Sequence, residues 1–114
     1  MENNVGDPEL LNKLNSTIEE LHTAVKFMKN YGKEFAQKQR EYKIALKQEV
    51  LRLKDKDTPA TVINLIVYGS GEVPDKRLER DISQVMYDTA QEHINVLKLE
   101  ARLLEAQIDR EYKG

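Results

Sequence analysis

The chain contains no cysteine and no tryptophan, and only two phenylalanines, among its 114 residues. Without cysteine it cannot form disulfides, thiolate metal sites or a thiol nucleophile. It has five glycines and three prolines, so few positions would break a helix. No apolar run approaches the roughly 20 residues of a membrane-spanning helix, and the N-terminal residues lack the pattern of a signal peptide. We therefore expect a cytoplasmic protein that does not enter the membrane.

Charged residues make up 33% of the chain and apolar residues 39%, a composition typical of long helices and coiled coils. The net charge of −2 is unevenly distributed. Residues 26–56 carry ten lysines and arginines against four acids, whereas the segments on either side are acidic. The overall charge argues against a general nucleic-acid binder, but one segment is distinctly basic.

A heptad pattern of apolar residues follows Asp7-Pro8, a pair that is typical of a helix start. Its phase continues unshifted through Gly32, which predicts one helix over about residues 8–54 with the glycine tolerated at a cost of about 1 kcal/mol. The a positions are Leu11, Ile18, Val25, Gly32, Gln39, Leu46 and Leu53, and the d positions are Leu14, Leu21, Met28, Phe35, Tyr42 and Glu49.

Two further helices are predicted after this one. Asp57 or Thr58 is suited to cap a short connecting helix over residues 59–68, whose apolar residues would plug the end of a hairpin. A last long helix over 74–112 carries two adjacent apolar stripes, which are wider than one partner helix can cover. The pattern predicts an all-α fold with a single domain, residues 1–114, built as a long antiparallel, coiled-coil-like helical hairpin.

The width of the apolar sector also predicts self-association, with hairpins pairing into a four-helix bundle. The protein itself is then its first expected partner. The residues expected at this homo-oligomer interface are Ile82, Val85, Val96, Leu97, Leu99, Leu103 and Leu104.

No pattern of catalytic or metal-ligating residues is present. The residues around His22 and His93 do not suggest a metal site. His93 has no residue of a metal-ligating type three or four positions away on its helix. We interpret His93 as a residue of the packing seam. The expectation is a protein that is not an enzyme and holds no metal or cofactor.

The most distinctive feature is a basic row on the first helix, at heptad positions b and e, which lie on one side of the helix. Such a row could follow a nucleic-acid backbone, aided by Tyr31 and Tyr42. Alternatively, it could pair with acids of the last helix and be structural, which is the interpretation that we favour at this point. The basic row consists of Lys26, Lys29, Lys33, Arg40, Lys43, Lys47 and Lys54, and the acids considered as partners are Asp81, Asp88, Glu92 and Glu105.

Across nearly its whole length the chain resembles a group of small helical proteins from temperate bacteriophages of Gram-positive bacteria. The similar stretches are Glu41-Tyr-Lys-Ile-Ala-Leu46, Thr58-Pro-Ala-Thr-Val-Ile63, Arg77-Leu-Glu-Arg-Asp81, Ala90-Gln-Glu-His-Ile-Asn95-Val-Leu-Lys98 and Glu105-Ala-Gln-Ile-Asp-Arg-Glu-Tyr112. The group has no defined activity, and its genes tend to lie beside those of single-strand-annealing and single-strand-binding proteins. The resemblance implies an accessory role in phage DNA recombination or replication, inside the host cell. The connector differs, since the group has a basic residue before its glycine and this chain has Tyr68.

Three functions are compatible with these features. The first is a non-enzymatic accessory of phage DNA metabolism that contacts single-stranded DNA or a DNA-bound phage protein. The second is a phage protein that binds and inhibits a host protein, such as a defence component. The third is a structural or scaffolding coiled coil.

Overall fold

The computed structural model describes residues 8–113, and these form helices joined by short turns. Helix α1 runs Pro8–Asp55 and helix α3 runs Val73–Lys113. Between them lie the short helix α2, Ala60–Ile66, and a 3-10 turn, Val67–Gly69. Because α1 packs against α3, the predicted all-α helical hairpin is confirmed. The predicted cap Asp7 lies outside the described residues.

The hairpin divides into two compact units. The outer unit, as we name it here, combines the part of α1 up to Lys29 with the part of α3 from Asp88 onward, and the inner unit is the stretch Asn30–Tyr87. Each unit has its own small core. In the outer unit Leu97 is buried with Ala24 and Ile94, and in the inner unit Ile63 is buried with Leu53 and Val67.

Helix α1 ends in a hydrogen-bonded turn rather than fraying. The Asp57 N–H donates to the Lys54 carbonyl over 3.0 Å, and the Thr58 N–H donates to the Leu53 carbonyl over 3.1 Å. Asp57 itself adopts a left-handed conformation with a φ of 61°, as the residue after a helix C-terminus often does. Asp57 therefore belongs to the turn that follows α1, and neither it nor Thr58 caps α2, which has Pro59 at its N-cap and no side-chain cap.

The line of contact on α1 differs from the predicted a/d seam in the outer unit. There the a residues Leu11, Ile18 and Val25 are exposed by 37–41%. The buried residues are instead the preceding g residues, Thr17 and Ala24 among them. An α-helix with 3.6 residues per turn drifts by about 20° per heptad relative to a strict seven-residue repeat. Over five heptads the drift amounts to about 100°, which is the angle between neighbouring residues of an α-helix. In the outer unit the strict repeat therefore assigns the contact to the a residue, one position after the g residue that makes it.

Gly32 lies inside the uninterrupted helix α1 and allows a close approach of α3. A Cβ atom at this position would lie 3.0 Å from Cε1 of Tyr87. The Tyr87 ring in turn stacks on Phe35, with ring centroids 6.2 Å apart. The glycine therefore makes room for an aromatic pair of the inner unit, which offsets the low helix propensity of glycine.

The connecting segment only partly plugs the end of the hairpin. Ile63 and Val67 are buried against Leu53, whereas Leu65 is 82% exposed. A seven-residue helix can turn only one narrow side toward the core, which leaves its other apolar residues in solvent. The exposed tip, as we name it, consists of Val62, Leu65, Ile66 and Tyr68. Among the described residues, no helix combines the length and the apolar character needed to cross a bilayer.

Candidate nucleic-acid interface

The basic row lies on helix α1, and all seven of its side chains are exposed. Two of them, Lys26 and Lys29, belong to the outer unit, and the other five belong to the inner unit. Within the inner unit the row runs from Lys33 to Lys54. At 1.5 Å per residue this is a distance of about 32 Å along the helix.

None of the seven side chains forms an ion pair with any residue that the structure describes. The interpretation that the row pairs with acids of the last helix is therefore not what the hairpin shows. Asp81, one of the four acids considered, instead binds Nε of Arg80 over 2.7 Å. A cation that is not ion-paired within its own chain can contact an anionic ligand without first breaking an existing pair.

The cross-helix ion pairs of the inner unit come from other residues of α1. Lys38 Nζ lies 3.0 Å from Glu79 Oε1, and Lys76 Nζ lies 3.6 Å from Glu41 Oε1. The hydrogen bond to Glu79 raises the pKa of Lys38. A hydrogen bond from Gln37 lowers the pKa of Glu41, and the nearby charges of Lys38 and Lys76 lower it further. The heptad lettering puts Lys38 at g and Glu41 at c, so the hairpin uses a side of α1 different from that of the basic row.

A shallow groove runs along the basic row in the inner unit. Arg40, Lys43 and Lys47 supply its charge, while Ala36 and Ile44 supply apolar surface and Gln39 completes its lining. Ile44 is 41% exposed. The groove therefore combines cations with a small apolar surface, which suits a ligand that is both anionic and partly apolar. The sequence interpretation missed Ile44 because this residue lies at position f, where a coiled coil is normally polar.

The aromatic and basic residues near the row are already used by the fold. Tyr42 is buried, and the Arg80 guanidinium lies 4.7 Å from its ring centroid. Arg80 also donates a hydrogen bond from Nη1 to Gln39 Oε1 over 2.8 Å. Arg77 lies 5.7 Å from the centroid of the Tyr68 ring. Tyr42 is thus unavailable for stacking on a base, whereas Tyr31 is half-buried.

The residues predicted at an oligomer interface fall into two groups. Leu97 is buried and Leu104 is half-buried, so both take part in packing within the outer unit. The others are exposed by 46–62% and are Ile82, Val85, Val96, Leu99 and Leu103.

Glu49, the charged d position, is buried at the base of the hairpin. Its Oε1 accepts a hydrogen bond from Nε of Arg52 over 2.8 Å, and Ser70 Oγ donates to its Oε2. These two contacts, Arg52 first, lower the pKa of Glu49 from 4.5 to about 2. The carboxylate therefore connects the turn before α3 to α1.

The histidines lie in solvent. His22 and His93 are both exposed, so His93 is not part of the packing seam, which uses its neighbour Ile94. The described residues contain no group of three or more His, Asp or Glu side chains that could hold a metal ion.

Comparison of the chain with protein-family models, with curated proteins and with solved structures finds no match. Its function therefore has to be argued from the surface of the hairpin.

Proposed function

We propose that the protein is a non-enzymatic accessory of phage DNA recombination or replication, which contacts single-stranded DNA through the basic row. One observation carries the proposal: seven cations recur on one side of a single helix, exposed and without ion pairs among the described residues. The resemblance to small phage proteins supports the same setting.

The expected strength of binding follows from the number of cations. If the five row residues of the inner unit each neutralise one phosphate, the logarithm of the binding constant falls with that of the salt concentration with a slope of about −3.5. Raising the salt from 50 to 200 mM then weakens binding by about 100-fold. Because Tyr42 is buried and cannot stack on bases, we expect the interaction to be mainly electrostatic and tolerant of sequence.

Charge reversal within the row tests the proposal. We expect the triple variant Lys33→Glu, Arg40→Glu, Lys47→Glu to lose binding to an oligo-dT probe in fluorescence anisotropy at low salt. Its melting temperature should stay within a few degrees of the wild type, because these side chains make no ion pairs in the hairpin.

A matched control reverses three exposed cations outside the row, Lys13, Lys98 and Arg110. This control has the same net charge as the row variant and should keep most of the binding. Equal loss in both variants would show that only net charge matters, and an inert wild type would reject the proposal.

The exposed tip favours a second candidate function, the binding of a host protein. Leu65, on α2, is 82% exposed although Ile63 of the same helix is buried, and Tyr68, in the 3-10 turn that follows, is 49% exposed. We expect a pull-down from infected cells to recover one protein with the wild type and to lose it with Leu65→Glu. Oligo-dT binding that remains intact in Leu65→Glu would separate this function from the first.

A further inference from the structure

Helix α3 carries a stripe of exposed apolar residues. Six of its residues are exposed by 46–62%, which is unusual for large aliphatic side chains at this density. The stripe continues through two exposed polar residues, Thr89 and Glu92, at its centre. Its eight members are Leu78, Ile82, Val85, Thr89, Glu92, Val96, Leu99 and Leu103.

The spacing between successive members alternates between four and three residues. This is the a/d pattern of a coiled coil, kept for more than three heptads over about 38 Å of helix. The order of residue types is also the same from both ends: three apolar, two polar, three apolar. A stripe with this symmetry matches itself when two copies run in opposite directions.

We infer that the stripe is the contact with a second copy of this chain, in which the two α3 helices lie antiparallel about a two-fold axis near Ala90 and Gln91. In this register Leu78 lies opposite Leu103 of the second copy, Ile82 opposite Leu99, and Val85 opposite Val96. Thr89 lies opposite Glu92, so a hydroxyl donor meets a carboxylate acceptor in the only polar layers. The inference is independent of nucleic-acid binding.

Other arrangements of two stripes are less favourable. Parallel pairing in register places Glu92 against Glu92 of the second copy, two like charges in one layer. A shift by one heptad in the antiparallel arrangement places Glu92 against Val96, which buries a carboxylate without a partner. The two central polar residues therefore select one register, as single buried polar residues do in coiled coils.

Charges beside the stripe favour the same register. The residues at position g face one another in an antiparallel pair, which brings Asp81 beside Arg102 of the second copy, twice per dimer. Both side chains are exposed, and because Asp81 already contacts Nε of Arg80 at 2.7 Å, Arg102 would be its second cationic partner. On the other flank Glu79 approaches Glu100, but the Glu79 carboxylate is already bound by Lys38 at 3.0 Å and by Lys76 at 3.8 Å.

The absence of cysteine makes a crosslinking test direct. Ile82→Cys and Leu99→Cys are single-cysteine variants at exposed positions, so neither should disturb the hairpin. In the inferred register, an equal mixture should form a disulfide dimer that contains one chain of each kind, as identified by mass spectrometry. Each variant alone should stay uncrosslinked, because its two cysteines would lie about 26 Å apart along the helix.

Sedimentation equilibrium without nucleic acid supplies the second measurement. We expect a dimer for the wild type, and a dissociation constant about tenfold higher for Arg102→Glu, which replaces two attractive pairs with repulsive ones. Lys98→Glu, a charge reversal of the same size off the stripe, should leave it unchanged. A monomeric wild type at 100 µM, self-crosslinking of either single variant, or a dimer without the mixed crosslink would each overturn the inference.

Discussion

Gly71 lies where the fold leaves no room for a side chain. Its φ is +58°, a left-handed conformation that costs other residues about 1–2 kcal/mol. A Cβ atom there would lie 2.7 Å from Oε1 of Glu49, whose carboxylate is fixed by Arg52 and Ser70. Gly71→Ala therefore strains the backbone and also displaces the anchored carboxylate. We expect the melting temperature, measured by circular dichroism at 222 nm, to fall by at least about 5 °C.

Gly69→Ala is the matched control, two residues away in the same turn. No atom lies within 4 Å of a Cβ atom built at Gly69, and its φ is not positive. Alanine there should leave the melting temperature unchanged or raise it slightly, because it reduces the freedom of the unfolded chain. If both alanine variants melted at the wild-type temperature, or both fell equally, the account of this turn would be refuted.

Two further changes probe the inner unit. Ile63→Ala removes a side chain that is only 3% exposed and packs on Leu53 and Val67, so it should lower the free energy of unfolding in urea by about 2–5 kcal/mol. Leu65→Ala, at a position that is 82% exposed, should change this free energy by less than about 0.5 kcal/mol. Equal effects of the two substitutions would contradict the assigned packing. Glu49→Gln tests pH dependence. Because the pKa of Glu49 is lowered to about 2 from 4.5, its carboxylate stabilises the fold above pH 4.5 and that contribution is lost as the pH falls toward 2. The variant should therefore show a smaller fall in melting temperature than the wild type between about pH 5 and pH 2, and an unchanged profile for Glu49→Gln would refute the assignment.

The sequence predicted the helices well because apolar spacing depends only on local geometry. The unshifted phase from Met28 to Phe35 correctly carried α1 through Gly32. The reason for a glycine at this position is the close approach of Tyr87, which depends on how α3 aligns with α1 and is not visible in the sequence. The a residue Ile18 was misplaced for a related reason. A strict seven-residue repeat ignores the drift of the contact line along a helix of 3.6 residues per turn.

The candidate site was predictable in its positions but not in its pairing. Spacing alone placed the basic row on one side of α1. The ion pairs between the two helices depend on how α1 and α3 align. They join residues that are far apart in sequence, as Lys38 and Glu79 are, with a separation of 41 residues. The apolar residues of the tip were expected to be buried because the connecting segment is rich in apolar residues. Composition does not reveal how little of a short helix reaches the core, and Leu65, which is 82% exposed, shows this most clearly.

The dependence of oligo-dT binding on salt tests the central proposal most directly. Anisotropy titrations of the wild type and of the row variant at 50, 100 and 200 mM salt give the slope of the logarithmic plot. The proposal predicts a slope of about −3.5 or steeper for the wild type and a loss of both slope and binding when Lys33, Arg40 and Lys47 are reversed. A wild type that fails to bind at 50 mM salt, or a row variant with the same slope as the wild type, would contradict it.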